Sequence, residues 1–243
     1  TDAGVCEAVV NWTAPTVTDN CGVTSSTPDM ASGSTFSLGT TTVTYTASDA
    51  AGNQSTLTFD VIVEDNESPT ITTDAADQTV ECDGAGNSAA LQAWLTSSAG
   101  AVATDNCSAV TWSNDFTTIA NTCGGAGAVQ VIFTATDAAG NTSTTSATFT
   151  IQDTTAPTID MAAADETVEC DGMGNMTELD AWLNNNGGAT ASETCSNVSW
   201  SHNYGMGASL SDLCGATGAV TVTFTATDVC GNASTTNATF TIE

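Results

Sequence analysis

The sequence predicts an all-β chain of tandem β-sandwich modules, and three observations predict it: a recurring motif, apolar residues alternating with threonine, and turn-forming clusters between the alternating runs. The recurrence carries the most weight. Residues 44–53 return as 132–141 and again as 223–232, so the motif's aspartate falls at 49, 137 and 228. Thr-Val-Glu-Cys-Asp-Gly stands at 79–84 and 167–172, Ala-Trp-Leu at 93–95 and 181–183, and Trp112 is matched by Trp200. Self-similarity at one period marks stacked repeat units. Three modules follow, 1–65, 66–152 and 153–243, joined by proline-containing seams at 64–69 and 152–157. Seams this short leave no flexible linker, so neighbouring modules are expected to stack end to end.

In the first module Val43, Tyr45 and Ala47 alternate with Thr42, Thr44 and Thr46, and Leu57, Phe59, Val61 and Val63 alternate with Thr58, Asp60 and Ile62. The second repeats this with Val129, Val131, Phe133 and Ala135, then Ala147, Phe149 and Ile151. The third has Val220, Val222, Phe224 and Ala226, then Ala238, Phe240 and Ile242. A period of two marks half-buried strands with threonine facing solvent. Asp-x-x-Gly-Asn between the two runs is a turn former, so each pair of runs is a hairpin. Modules of about ninety residues with several short strands have the size of an immunoglobulin-like sandwich.

The second and third modules carry an insertion. Residues 89–95 and 178–183 read as a short helix, with Leu91, Trp94 and Leu95 on one face. Asn87 or Ser88 is placed to cap the first, and Asn175 or Thr177 the second. Such a face fits a helix that lids a sandwich, given the usual burial of tryptophan, rather than an aromatic binding box.

All formal side-chain charge has one sign. The 243 residues hold 28 Asp and Glu, no Lys or Arg and one His, for a net charge of −28. No Schiff-base lysine, arginine clamp or phosphate-binding basic patch can exist. Nucleic acid and anionic membrane surfaces are repelled. Without internal salt bridges, the carboxylates must stay solvated, close turns or bind cations. The acidity serves solubility alone, or solubility together with divalent-cation binding.

At this point the first module resembles a hyalin repeat (HYR) domain. The resemblance rests on residues 12–22, Trp-Thr-Ala-Pro-Thr-Val-Thr-Asp-Asn-Cys-Gly, on 33–45 and on Asp-Ala-Ala-Gly-Asn at 49–53, and covers nearly all of 5–71. The other two modules are similar to HYR-like repeats of very long surface proteins of gliding and surface-colonising bacteria. The resemblance implies an immunoglobulin-like fold and an adhesive or spacer role, not catalysis. The family's first strand is missing from module one, which suggests that the chain is a piece of a longer protein.

Nine cysteines without zinc-ligand spacing, and a lone His202, point to disulfides in an oxidising compartment. Cys21, Cys107 and Cys195 align. Module three has Cys170, Cys195, Cys214 and Cys230, which allow three connectivities; module two has Cys82, Cys107 and Cys123, with Ala139 where Cys230 stands. The simplest scheme pairs within modules: Cys6 with Cys21, Cys82 with Cys107, Cys170 with Cys195, and Cys214 with Cys230. It leaves Cys123 as a free thiol, either a buried orphan or an intermolecular cross-link.

The carboxylates recur at defined places. In this topology the loop after the second strand and the last hairpin turn lie at the end where the preceding module attaches. Asp105, Asn106, Asp137 and Asn141 then converge on Asp65, Asn66 and Glu67; Glu193, Asp228 and Asn232 approach Asp153. Oxygen ligands clustered without a cation suit Ca²⁺, which takes about 6–8 oxygens. The alternative is that each motif aspartate closes its own turn. A second candidate is the loop of Glu81, Asp83 and Asn87 with its copy Glu169, Asp171 and Asn175, although it lacks the full EF-hand series.

These features predict a structural repeat segment, the stalk or filament of a secreted bacterial cell-surface adhesin. Its partners would be further repeats of the same chain, self-assembly into fibres, and a surface or glycan receptor. A carbohydrate- or protein-binding module working through end loops is the alternative, and would show an exposed aromatic platform among Trp12, Trp112, Trp200 and Tyr204. Enzymatic activity is not expected, because paired carboxylates recur with the fold instead of marking one site.

Overall fold

The structure, a computed structural model, describes residues 1–206, 210 and 217–243. In chain order the first strands are β1 (Glu7–Val10), β2 (Val23–Pro28), β3 (Ser34–Ser37), β4 (Gly39–Asp49), β5 (Gln54–Val63), β6 (Thr70–Thr73) and β7 (Gln78–Glu81). Helix α1 (Ser88–Thr96) precedes β8 (Val102–Thr104), β9 (Thr111–Asn114), β10 (Ala120–Cys123), β11 (Ala126–Thr136) and β12 (Thr142–Gln152). Then come β13 (Thr158–Met161), β14 (Glu166–Val168), helix α2 (Met176–Asn184), β15 (Thr190–Ser192), β16 (Ser199–His202), β17 (Gly218–Thr227) and β18 (Ala233–Ile242). The chain is an all-β tandem of immunoglobulin-like sandwich repeats, with a helix inserted in the second and third. Its contacts form two units: Thr1–Ala76, Ser97–Asp115 and Ile132–Ser146; and Asp77–Thr96, Phe116–Val131 and Ala147–Glu243.

In the first unit β1 pairs antiparallel with β3, and β4 lies between β2 and β5. The β4–β5 hairpin sets Val43 opposite Phe59 and Thr44 opposite Thr58, the alternation expected from the period of two. Val43, Tyr45, Val61 and Val63 are buried with Phe36 of β3. Trp12 completes this core, its ring 5.8 Å from Phe36 and 5.3 Å from Phe59, and its Nε1 donates to the Tyr45 hydroxyl at 3.0 Å. A half-buried indole of this kind fills volume at the core's edge while keeping its one donor satisfied. The same unit holds the antiparallel pair β6–β8 and strand β9, whose Trp112 faces Ala135 of β11.

In the second unit β17 lies between β16 and β18, β14 joins β18 in parallel, and β13 pairs with β15. Val220, Val222, Phe224, Ala238, Phe240 and Ile242 form the core, closed by Leu179, Trp182 and Leu183 of α2. Trp182 sits 5.1 Å from Phe224 and 5.5 Å from Phe240, and its Nε1 donates to the Ala164 carbonyl at 3.1 Å. Trp94 of α1 repeats this contact against Phe149 at 5.4 Å, and β7 lies parallel to the end of β12. The helices are lids, as expected from their apolar face.

Neither asparagine proposed as a helix cap acts as one through its side chain. Asn175 adopts a left-handed φ of 50°, accepts through Oδ1 from the Asp171 amide and donates through Nδ2 to the Glu169 carbonyl. Asn87, with φ 51°, does the same with Asp83 and Glu81. Asparagine tolerates that conformation, so the side chain is spent on fixing the loop before the helix.

The disulfides overturn the within-module scheme. Cys6 bridges Cys107 in the first unit; Cys82 bridges Cys195 and Cys123 bridges Cys230 in the second. Cys123 is therefore no free thiol. Each bridge joins one copy of the repeat to the next, across 101, 113 and 107 residues. The expected partners are ruled out by geometry: the Cα atoms that come within 4.9–6.0 Å, the span of a disulfide, belong to successive copies. Cys21 is exposed and bridged to no described residue, and Cys214 lies outside the described residues.

Candidate metal sites at the seams

The motif aspartates act first on their own turns. Asp137 Oδ1 accepts from the Gly140 and Asn141 amides at 2.7 and 2.8 Å, and its Oδ2 accepts from Asn141 Nδ2 at 2.8 Å. Asp228 and Asn232 repeat this geometry, as do Asp49 and Asn53. Burial works against the charged form of Asp137 and Asp228, but the hydrogen bonds from the following asparagine and loop amides outweigh it and hold both below the usual carboxylate range. Both carboxylate oxygens of these residues are thus engaged. Asn141 and Asn232 reach further, donating to the backbone carbonyls of Asp65 at 3.1 Å and Asp153 at 3.0 Å. The hairpin turn is thereby tied to the seam.

At the first seam Asp65 is buried and accepts through Oδ1 from the Glu67 amide. Asp105 accepts through Oδ1 from the Cys107 and Ser108 amides at 2.9 and 2.8 Å, and its Oδ2 is buried with no hydrogen-bond partner among the described residues. One ligand atom each of Asp65, Asp105 and Cys107 falls within 4.8 Å of the others. Glu67 is engaged elsewhere, accepting from the Gly4 amide at 3.1 Å and from Asn106 Nδ2 at 2.7 Å.

The second seam repeats the arrangement. Asp153 is buried, accepts from the Thr155 amide through Oδ1, and leaves Oδ2 buried without a hydrogen-bond partner among the described residues. Asp153, Glu193 and Cys195 form the matching group. Burial pushes the Asp153 carboxyl up, and the nearby charges of Asp228, Glu193 and Glu81 push the same way, against the Thr155 hydrogen bond. Glu81 hooks the linking segment, accepting from the Thr154 amide at 2.6 Å and from the hydroxyls of Thr154 and Thr155. Sequence placed Glu81 in a separate loop; the parallel pairing of β7 with β12 brings it here.

A buried carboxylate oxygen without a donor, beside a second carboxylate, is an unmet acceptor that a cation would satisfy. Cys107 and Cys195 are held in disulfides, so neither offers a thiolate and the donor set is oxygen only. That set fits a hard cation such as Ca²⁺. The other expected loop does not join these groups. Asp83 Oδ1 accepts from the Ala85 and Asn87 amides, and Asp171 Oδ1 from those of Met173 and Asn175. Each closes its own turn, and the amides hold both carboxyls below their ordinary range.

Among solved structures the chain is similar to protocadherin gammaB7 EC3-6, at 15% identity and a TM-score of 0.28, covering 90% of this chain and 63% of that one. Drosophila N-cadherin EC1-4 matches at 10% identity and a TM-score of 0.32, over 88% and 62%. The human desmocollin-1 ectodomain matches at 11% and 0.29, over 87% and 51%. The chain spans about three-fifths of the length of the first two. No curated protein gives a significant match. The hyalin-repeat expectation for the start of the chain holds: residues 1–63, which carry β1 to β5, match the family model of the HYR domain.

Proposed function

We propose that the chain is a structural repeat segment, a stalk or filament, of a secreted bacterial cell-surface adhesin, with Ca²⁺ bound at the seams. Its modules are 1–65, 66–152 and 153–243, and its neighbours are further repeats of the same kind. One observation carries the reading: each seam pairs an orphaned carboxylate oxygen, on Asp105 or Asp153, with a disulfide that joins successive copies of the repeat. A bridge and a cation at the same junction stiffen it, which is what a spacer needs. The disulfides fit an oxidising, extracellular location. Asp65 and Asp105 would hold one ion, and Asp153 and Glu193 the other, with backbone carbonyls and water completing the shell. A binding role through aromatic end loops draws less support, since Trp12, Trp200 and Tyr204 pack against the cores.

Thermal unfolding with calcium against chelator tests the proposal. A rise of several degrees with calcium, reduced in Asp105→Asn and Asp153→Asn, is expected. An unchanged unfolding temperature overturns the calcium seams.

A further inference from the structure

The second seam holds two sulfurs beside its carboxylates. One ligand atom each of Asp153, Glu193 and Cys195 falls within 4.8 Å of the others, and Cys195 is bonded to Cys82. Asp153 is only 8% exposed, and its Oδ2 has no hydrogen-bond partner among the described residues. The bridge alone keeps the two sulfurs from acting as thiolate ligands.

That bridge can be reached. It lines an open cavity of about 340 Å³ together with Gly84, Gly86, Gly124 and Gly125, four residues with no side chain to shield the sulfurs. The glycines also hold the two loops together. Gly84 has φ +72°, and a side-chain carbon there would stand 2.6 Å from the Thr194 carbonyl oxygen; one on Gly124 would meet Ser196 at 2.7 Å. Only glycine allows so close an approach in a left-handed conformation. Glu81, beside Cys82, accepts from the amide of Thr154, beside Asp153. None of these contacts passes through the disulfide, so they keep Cys82, Cys195 and Asp153 neighbours when it opens.

We propose that the reduced second seam is a Zn²⁺ site, with Cys82, Cys195, Asp153 and Glu193 as its four ligands. Zinc accepts tetrahedral sets of thiolate and carboxylate, and two thiolates turn the site's preference away from hard ions such as Ca²⁺. The four ligands carry the same charge as a four-cysteine zinc site, and the nearby charges of Asp228 and Glu81 add to the pull on a cation. A low-molecular-weight thiol supplies the reduction. Its thiolate attacks one sulfur of the bridge and frees the other; a second attacks the mixed disulfide and releases the remaining cysteine, leaving one small disulfide. Zn²⁺ then displaces the proton of each cysteine thiol. The same junction thus offers oxygen ligands alone when oxidised and a sulfur–oxygen set when reduced. The site shares its carboxylates with the calcium reading above but belongs to the reduced chain, so each can fail without the other.

The whole chain, in a Cys6→Ser, Cys107→Ser background that removes the equivalent sulfurs of the first seam, is reduced with a phosphine and titrated with Co²⁺ without oxygen. Thiolate charge-transfer and tetrahedral d–d bands are expected, bleached by Zn²⁺ and absent from the oxidised chain. Cys195→Ser should abolish them and Cys123→Ser should not, while Asp153→Asn should weaken binding by about tenfold or more. Zn²⁺ should also raise the unfolding temperature of the reduced chain, because it binds the folded seam; capture by unfolded cysteines would lower it. Absent bands, bands that survive Cys195→Ser, or a lowered unfolding temperature overturns the proposal. Calcium dependence of unfolding, read on the oxidised chain, tests the calcium seams separately.

Discussion

Asn141 donates through one amide group to two places at once, the Asp137 carboxylate at 2.8 Å and the backbone carbonyl of Asp65, 76 residues away, at 3.1 Å. Asn232 does the same with Asp228 and Asp153. Asn53, the first copy's equivalent, donates to Asp49 and is exposed. The same turn motif therefore does an extra task where a seam is present.

That difference can be measured. Asn141→Ala and Asn232→Ala are each expected to cost about 1–3 kcal/mol, because they leave a carbonyl and a carboxylate short of a donor. Asn53→Ala should cost about 1 kcal/mol or less, since water can replace its side chain. Denaturant unfolding of the three variants checks the order; equal costs would show that the seam bond contributes nothing.

Stability should depend on pH in two opposite ways. Asp153 is raised in the fold, so without a cation its ionisation costs stability at neutral pH, and the cost is relieved as pH falls through its raised value. Asp49, Asp83, Asp137, Asp171, Asp228 and Glu81 are lowered, so their contribution is complete above about pH 4 and is lost as pH falls through their depressed values. In chelator, the unfolding temperature is expected to rise as pH falls through the raised value of Asp153 and to fall again as the lowered carboxyls protonate. Asp153→Asn should flatten the rise, and so should calcium. A rise of the same size in the variant would assign it to overall charge repulsion instead.

Under load the disulfides decide how far the chain can extend. From one end to the other the shortest covalent path runs through residues 1–6, 107–123 and 230–243, crossing two bridges. Fully drawn out it reaches about 13 nm, against about 85 nm for the whole chain at roughly 3.5 Å per residue. Single-molecule pulling before and after reduction should show this several-fold difference in final length. Equal lengths would mean that the bridges do not form.

In the third repeat, Phe224 is completely buried and contacts both Trp182 and His202. Phe224→Ala is expected to cost about 3–5 kcal/mol by opening a cavity beneath α2. Calorimetry should show the loss; a cost below about 1 kcal/mol would mean that the helix collapses onto the space.

The strands, hairpins and helical lids were legible because burial imposes a period on the residues that experience it. Val43, Phe133 and Phe224 follow the period of two, and Trp94 and Trp182 the helical one. The seam acids were legible in part: topology brings Asp65 to Asp105 and Asp153 to Glu193, but Asp137 and Asp228 spend their oxygens on their own turns. The disulfides were misread because aligning repeats compares each copy with itself, whereas a bridge between copies needs two different positions. A signal did exist. The first copy has Thr35 where the second has Cys123, and the second has Ala139 where the third has Cys230. Each missing cysteine is the counterpart of one missing in the neighbouring copy, which is what pairing between successive copies requires. The parallel strands β7 and β14 left no comparable trace, being three or four residues long.

The spans closed by the three bridges, 6–107, 82–195 and 123–230, overlap. Every peptide bond between residues 6 and 230 therefore lies inside at least one covalent ring. One backbone scission in that stretch opens a ring without parting the molecule, so a protease must cut twice, in suitable places, before anything is released. The arrangement gives the segment the fault tolerance of a ladder instead of the single-point failure of a string.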